Sequence, residues 1–199
     1  MGYLADARRR WSPVTVSRYP ISSLEELPDD LRERIEPIAE RTGFVPNVFL
    51  AMGHRPDELR AFMDYHDALM ERDSGLTKTE REMIVVATSA ANDCVYCIVA
   101  HGAILRIRAK DPTLSERIVA NWRTAPVTER QRSMLAFAVK MARAPETIDQ
   151  DDRSMLADHG FSDEDIWDIG AIAALFALSN RMAHLAEMEP NPEFHSMGR

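Results

Sequence analysis

The chain has only two cysteines, and they stand three residues apart: Cys94 and Cys97, with His101 four residues beyond and Glu82 twelve before the first thiol. On an α-helix, Cα atoms at i and i+3 lie about 5 Å apart, inside the window of about 4.4–6.8 Å that a disulfide spans. Such a pair can close and reopen, and His101, one turn after Cys97, shares its face. The thiolate rather than the thiol is the nucleophile, so the pair needs a proton acceptor. His101 supplies one in reach of Cys97, and Glu82, on the preceding helix, can orient the imidazole and stabilise its protonated form. Taken singly, each residue has a plainer reading as a core thiol, a helix histidine or a solvated carboxylate. Their joint spacing argues for chemistry.

Other uses of a CxxC can be weighed from its neighbours. Covalent haem attachment needs His directly after the second Cys, where this chain has Ile98. A thioredoxin-like motif follows a strand, whereas Glu82 to Ala91 reads as helix. Zinc could accept Cys94, Cys97 and His101 with Glu82 or water as fourth ligand, but no second Cys or His pair lies nearby. The expectation is therefore no metal.

These residues must be positioned by helices. Apolar residues recur at spacings of three and four from about residue 28 onward, and strand-like alternation is scarce, so the fold class reads as all-α. Pro28-Asp29-Asp30 opens a first helix, expected to kink or break at Pro37 and closed by Thr42-Gly43. A short helix covers Val48 to Met52. The next starts at Pro56 and carries Leu59, Phe62, Met63, His66, Leu69 and Met70 on its apolar face. Thr77 with Glu80 forms a capping box for the helix that holds Glu82. Asn92-Asp93 reads as a break with Asp93 as N-cap, which would place Cys94 in the first turn of a new helix, where free N–H groups lower a thiol pKa. Further helices are expected from Pro112 to Trp122, from Thr128 to Pro145, near Asp149 to Asp158, and from Ser162 to about Glu187. This gives an N-terminal extension, 1–27, a helical domain, 28–187, and a loosely held tail, 188–199. A faint echo at an offset of 85 residues matches Leu76-Thr77 to Phe161-Ser162 and Ile84 to Ile169. It points to two related helical units, about 28–110 and 111–187, with Ser179, Met182 and Ala186 in the places of Cys94, Cys97 and His101.

With 199 residues the chain can bury a core without staples, and two cysteines suit a reducing cytoplasm. Met1 to Trp11 carries three arginines but no apolar run of signal-peptide length, and Asp6 stands where a myristoylation motif has Ser or Thr. The longest apolar stretch, Ala171 to Leu178, falls far short of the roughly 20 residues that span a bilayer, so no membrane association is expected. A net charge of −8 has the wrong sign for nucleic acid. The same apolar stretch is apolar almost all round, which calls for contact on several sides and favours a homo-oligomer.

LTKTEREMIVVATSAANDCVYCIVAHG, Leu76 to Gly102, resembles the core signature of the alkylhydroperoxidase D (AhpD) and carboxymuconolactone decarboxylase superfamily, with Glu, CxxC and His at this spacing. RTGFVPNVF, Arg41 to Phe49, and the overall length resemble its peroxidase-related subgroup. The resemblance implies an AhpD-like helical fold, trimers or hexamers, and cysteine-based reduction of a hydroperoxide, without haem, metal or other cofactor, at the expense of an external dithiol. Carried onto this chain, it makes Cys97 peroxidatic and Cys94 resolving, with a Cys94–Cys97 disulfide and a proton relay through Glu82 and His101. One departure is Tyr96, where the AhpD pattern has a relay histidine; a phenol is a poor base near neutral pH. Two readings of other classes stand beside it: a redox-sensing or assembly protein, and a decarboxylase-like lyase or isomerase using His101 and Glu82 as acid and base.

Overall fold

Capping residues punctuate the chain. Thr77, Thr128, Asp149 and Ser162 each accept a hydrogen bond from the backbone three residues on, and Glu80, Gln131, Asp152 and Asp165 reach back to close the box. The computed structural model describes residues 16–199, and every regular element among them is helical. The longer ones are α1 (Asp29–Thr42), α2 (Asn47–Met52), α3 (Pro56–Met70), α4 (Lys78–Ala91), α5 (Val95–Ala109), α6 (Leu114–Asn121), α7 (Glu129–Arg143), α8 (Gln150–Asp158) and α9 (Asp163–Ala186). Pro37 does not break α1. Its ring removes one N–H donor and leaves the Glu33 carbonyl without its partner four residues on.

α4 is buried nearly all round, with Met83 to Ala87 in the main core alongside residues of α3, α5 to α9 and their loops. The chain reverses after α4, so α5 runs back along it, and Arg108 near the end of α5 reaches the Lys78 carbonyl at the start of α4. Gly102 permits α5 to lie close to α6, since a Cβ there would sit 2.5 Å from Ser115 Oγ. α9 spans 24 residues, and the apolar stretch Ala171–Leu178 is only its middle; by length and composition the whole helix could cross a bilayer. Here it packs against α3, α4, α5, α7 and α8. Its buried Asp168 accepts from Arg81 at 3.4 Å and from Arg72 at 3.2 Å, fixing α9 against α4 one residue from Glu82. Although Phe161-Ser162 opens α9 as Leu76-Thr77 opens α4, α9 passes unbroken through the register where α4 ends and α5 begins.

Two smaller clusters complete the interior. Leu27, Leu31, Ile35, Leu59 and Met63 join α1 to α3, and Cys94, Tyr96, Cys97, Ala100 and Ala103 pack with Ala183, Ala186, Met188 and Phe194. The C-terminal segment, expected to be loose, is docked. Phe194 packs edge-on against Phe44 at 4.9 Å, and the buried Arg106 guanidinium donates to the carbonyls of Phe194 and Met197 at 2.8 and 2.9 Å. The N-terminal strand of chain is held too, since Arg18 N–H donates to Ala186 O at 2.8 Å. Residues 1–15, including Asp6 and the arginines at 8–10, lie outside the described part.

Candidate active site

The break between α4 and α5 places the thiols, though one residue later than the sequence suggests. Asn92 caps α4, Asp93 takes a left-handed backbone with φ 54°, and Cys94 is itself the N-cap of α5. Asp93 is therefore not the cap; its positive φ is what turns the chain through so short a link. Cys97 then stands at N3, and both thiols are free and 1% exposed.

A cavity of about 410 Å³ opens between α1–α3, α5, α9 and the C-terminal segment. Cys97, His101, Tyr96 and Ala100 of α5 line it, as do Phe49 of α2, Phe62 and Met63 of α3, Ser179 from α9 and Phe194 from the tail. Cys94 does not line it and lies behind Cys97. His101 Nδ1 is 2.9 Å from Glu82 Oε2, an arrangement that requires Nδ1–H to donate when the carboxylate is ionised. Arg108 stands 3.8 Å from the other Glu82 oxygen, and the His101 ring meets Phe176 edge-on at 4.7 Å. His101 and Cys97 thus face one space a turn apart. Among the described residues no hydrogen bond joins them directly.

The two thiols are electrostatically unlike. Cys94 is pulled down to about 6, first by the Cys97 thiol directed at it, with the Cys97 backbone N–H, the His184 charge and the Asn180 amide adding to the effect. That N–H closes no full capping bond, so its contribution is proximity to the helix N-terminus. Cys97 is pushed up, because it donates toward Cys94 and because it is buried. The two shifts run in opposite directions, so Cys94 gives up its proton more readily than Cys97. Tyr96 takes no part as a base. Its hydroxyl accepts the Val48 N–H at 2.9 Å, bracing the start of α2, and burial raises its pKa.

Sequence reasoning missed the contribution of α9. Ser179 Oγ lies 3.7 Å from Cys97 Sγ. The fully buried Asn180 donates to Ser89 Oγ at 3.0 Å and accepts from Asn92 at 2.9 Å, tying α9 to the turn before Cys94. His184 bonds the Asn92 carbonyl at 2.9 Å. The available signal was a pair of polar residues, Ser179-Asn180, directly after the apolar stretch of α9. Among the described residues, no group of three or more His, Cys, Asp or Glu side chains stands ready for a metal ion.

An all-helical fold with a Glu helix antiparallel to a CxxC helix defines a class of protein, and comparison with known proteins agrees. The carboxymuconolactone decarboxylase family matches residues 56–113. A peroxidase-related protein of Ralstonia eutropha with an alkylhydroperoxidase AhpD core is 57% identical, covering 94% of this chain and 98% of its own, with a TM-score of 0.92. A peroxidase-related protein of Silicibacter is 43% identical over 93% of this chain and 99% of its own, with a TM-score of 0.85. The debrominase Bmp8, solved with 2,3,4-tribromopyrrole, shares the fold at 21% identity, 92% and 95% coverage and a TM-score of 0.76. No curated protein sequence matches. The chain belongs to the AhpD-like branch of the carboxymuconolactone decarboxylase superfamily.

Proposed function

We propose that the protein is a thiol peroxidase in which Cys97 attacks the peroxide and Cys94 resolves. The observation that carries this reading is the placement of Cys97 and His101 on one cavity wall with Cys94 directly behind. The Cys97 sulfur takes the distal peroxide oxygen, the O–O bond breaks, and the thiol proton passes to His101, whose charge Glu82 stabilises. The departing alkoxide takes up a proton to become the alcohol, and Cys97 becomes a sulfenic acid. Cys94, already ionised, attacks the Cys97 sulfur; the S–O bond breaks, the hydroxide takes a proton and leaves as water, and a disulfide remains. An external dithiol restores both thiols. The lowered pKa of Cys94 suits a resolving nucleophile, which must act at once on a short-lived sulfenic acid. Peroxide consumption over many equivalents, with a dithiol as reductant, tests the reading on wild type and each Cys→Ser variant. Oxidation that stops after one equivalent supports a sensor instead, and an activity that survives blocking of both thiols supports a lyase.

The proposal includes a homo-oligomer. Trp167, Leu178, Met182 and Leu185 of α9 are exposed at helical spacing, an apolar stripe running most of the helix length. A second copy of the chain, in a closed trimer or hexamer, is the occupant proposed for it. Sedimentation of an active species at the 22.5 kDa of one chain refutes the assembly.

A further inference from the structure

Glu82–His101 has a counterpart on α3. His66 of α3 reads from sequence as part of an apolar helix face, yet it lines the same cavity as Cys97 and His101. Its Nδ1 lies 3.0 Å from Asp67 Oδ1, as that of His101 lies 2.9 Å from Glu82. Each carboxylate is in turn beside an arginine: Arg34 donates to Asp67 at 2.9 Å, and Arg108 stands 3.8 Å from Glu82. Each imidazole presents to the same buried phenyl, Phe176, with centroids 6.4 Å apart for His66 and 4.7 Å for His101. Two carboxylate–imidazole dyads thus flank one ring and open on one cavity, and the CxxC signature accounts for only one of them.

We propose that His66 is the general acid of the peroxide half-reaction, giving a proton to the departing alkoxide. The inference rests on the thiol-peroxidase reading. An ionised Asp67 can only accept, so Nδ1–H of His66 donates to it and Nε2 is left for the cavity. When the ring carries both protons, its Nε2–H is the one that faces the cavity and can be given. Asp67 is correspondingly held below the usual carboxylate range by the His66 hydrogen bond and by Arg34. The balance closes: the thiol proton goes to His101, the alkoxide takes the proton of His66, and the O–O bond breaks as sulfur and oxygen join. With its side chain 30% exposed, His66 recovers a proton from solvent, while the more enclosed His101, at 15%, returns its own after the alcohol leaves. Tyr96 is the poorer proton donor here, because burial raises its pKa.

The test is leaving-group dependence. Cumene hydroperoxide expels a strongly basic alkoxide that needs a proton, whereas peracetic acid expels acetate, which does not. His66→Gln should lower kcat/KM for cumene hydroperoxide by about 10²-fold, at the lower end for general acids, and leave peracetic acid nearly unaffected. Asp67→Asn, which keeps the imidazole, should show the same selectivity to a smaller degree and serves if His66→Gln does not fold. Equal losses on both peroxides, or no loss on either, overturn the role of His66 while an active wild type keeps the peroxidase reading. A wild type that consumes neither peroxide overturns both.

Discussion

Glu82→Gln removes a charge and little else. The side chain is 3% exposed, and glutamine has the same shape, with an amide oxygen that can still accept from His101 Nδ1–H across the 2.9 Å contact. What disappears is the negative charge facing the imidazolium that the proposed mechanism forms as Cys97 loses its proton. Two unit charges about 4 Å apart interact by about 4 kcal/mol at an effective dielectric of about 20, an upper limit of roughly 10³-fold in rate. Arg108, 3.8 Å from the other oxygen, already offsets part of the Glu82 charge. The expected loss in kcat/KM for peroxide is therefore about 10²-fold. Stability should hardly move: Arg108 is 25% exposed, and such an ion pair contributes under about 1 kcal/mol, equivalent to a Tm change of about 2–4 °C at most. Steady-state peroxide consumption and a thermal melt read the two quantities. A rate within about twofold of wild type, or a melt that collapses together with activity, refutes the argument and leaves Glu82 a structural residue.

Two further outcomes follow from the same geometry. The reduced protein should show a rise in ultraviolet thiolate absorbance with a midpoint at about pH 6, absent in Cys94→Ser; a first midpoint in the ordinary thiol range contradicts the charge assignment. Since an unfolded thiol keeps its proton to about pH 8.5, the contribution of Cys94 to the reduced fold is complete above that value. It is lost as pH falls through about 6, while proton-retaining Cys97 opposes it only on the alkaline side. Arg106→Met should release the C-terminal segment, because the guanidinium satisfies the carbonyls of both Phe194 and Met197. A stability loss of about 2–4 kcal/mol, new proteolytic cleavage after residue 188 and a raised KM are expected, and unchanged protection of the tail contradicts its role as a cavity wall.

The sequence announces its helices because their signals are local. Thr77, Thr128 and Ser162 each carry a partner three residues on, and the helices begin where those boxes stand. Glu82 and His101 were legible because one short break fixes how α5 folds back on α4. The break itself was read one residue early: Asp93 looks like a cap by type, and only the backbone reveals that it carries the left-handed turn while Cys94 caps. The docking of Phe194 depends on Arg106 and Phe44, far off in sequence, and a tail rich in Pro, Asn and Glu hides that. Asn180 and His66 were illegible for a related reason. Each sits on a helix whose periodicity assigns it to a face, whereas Asn92 beside Asn180 and Phe176 beside His66 come from elsewhere in the chain.

Trapping of sulfenic acid in the two single-cysteine variants tests the central claim most directly. After one equivalent of peroxide and a carbon-acid trap, mass spectrometry should find the adduct on Cys97 in Cys94→Ser, because Cys97 faces the cavity with His101. Cys97→Ser should yield none on Cys94, which lies behind the wall. An adduct on Cys94 with none on Cys97 reverses the two roles, and no adduct in either variant contradicts the peroxidase account.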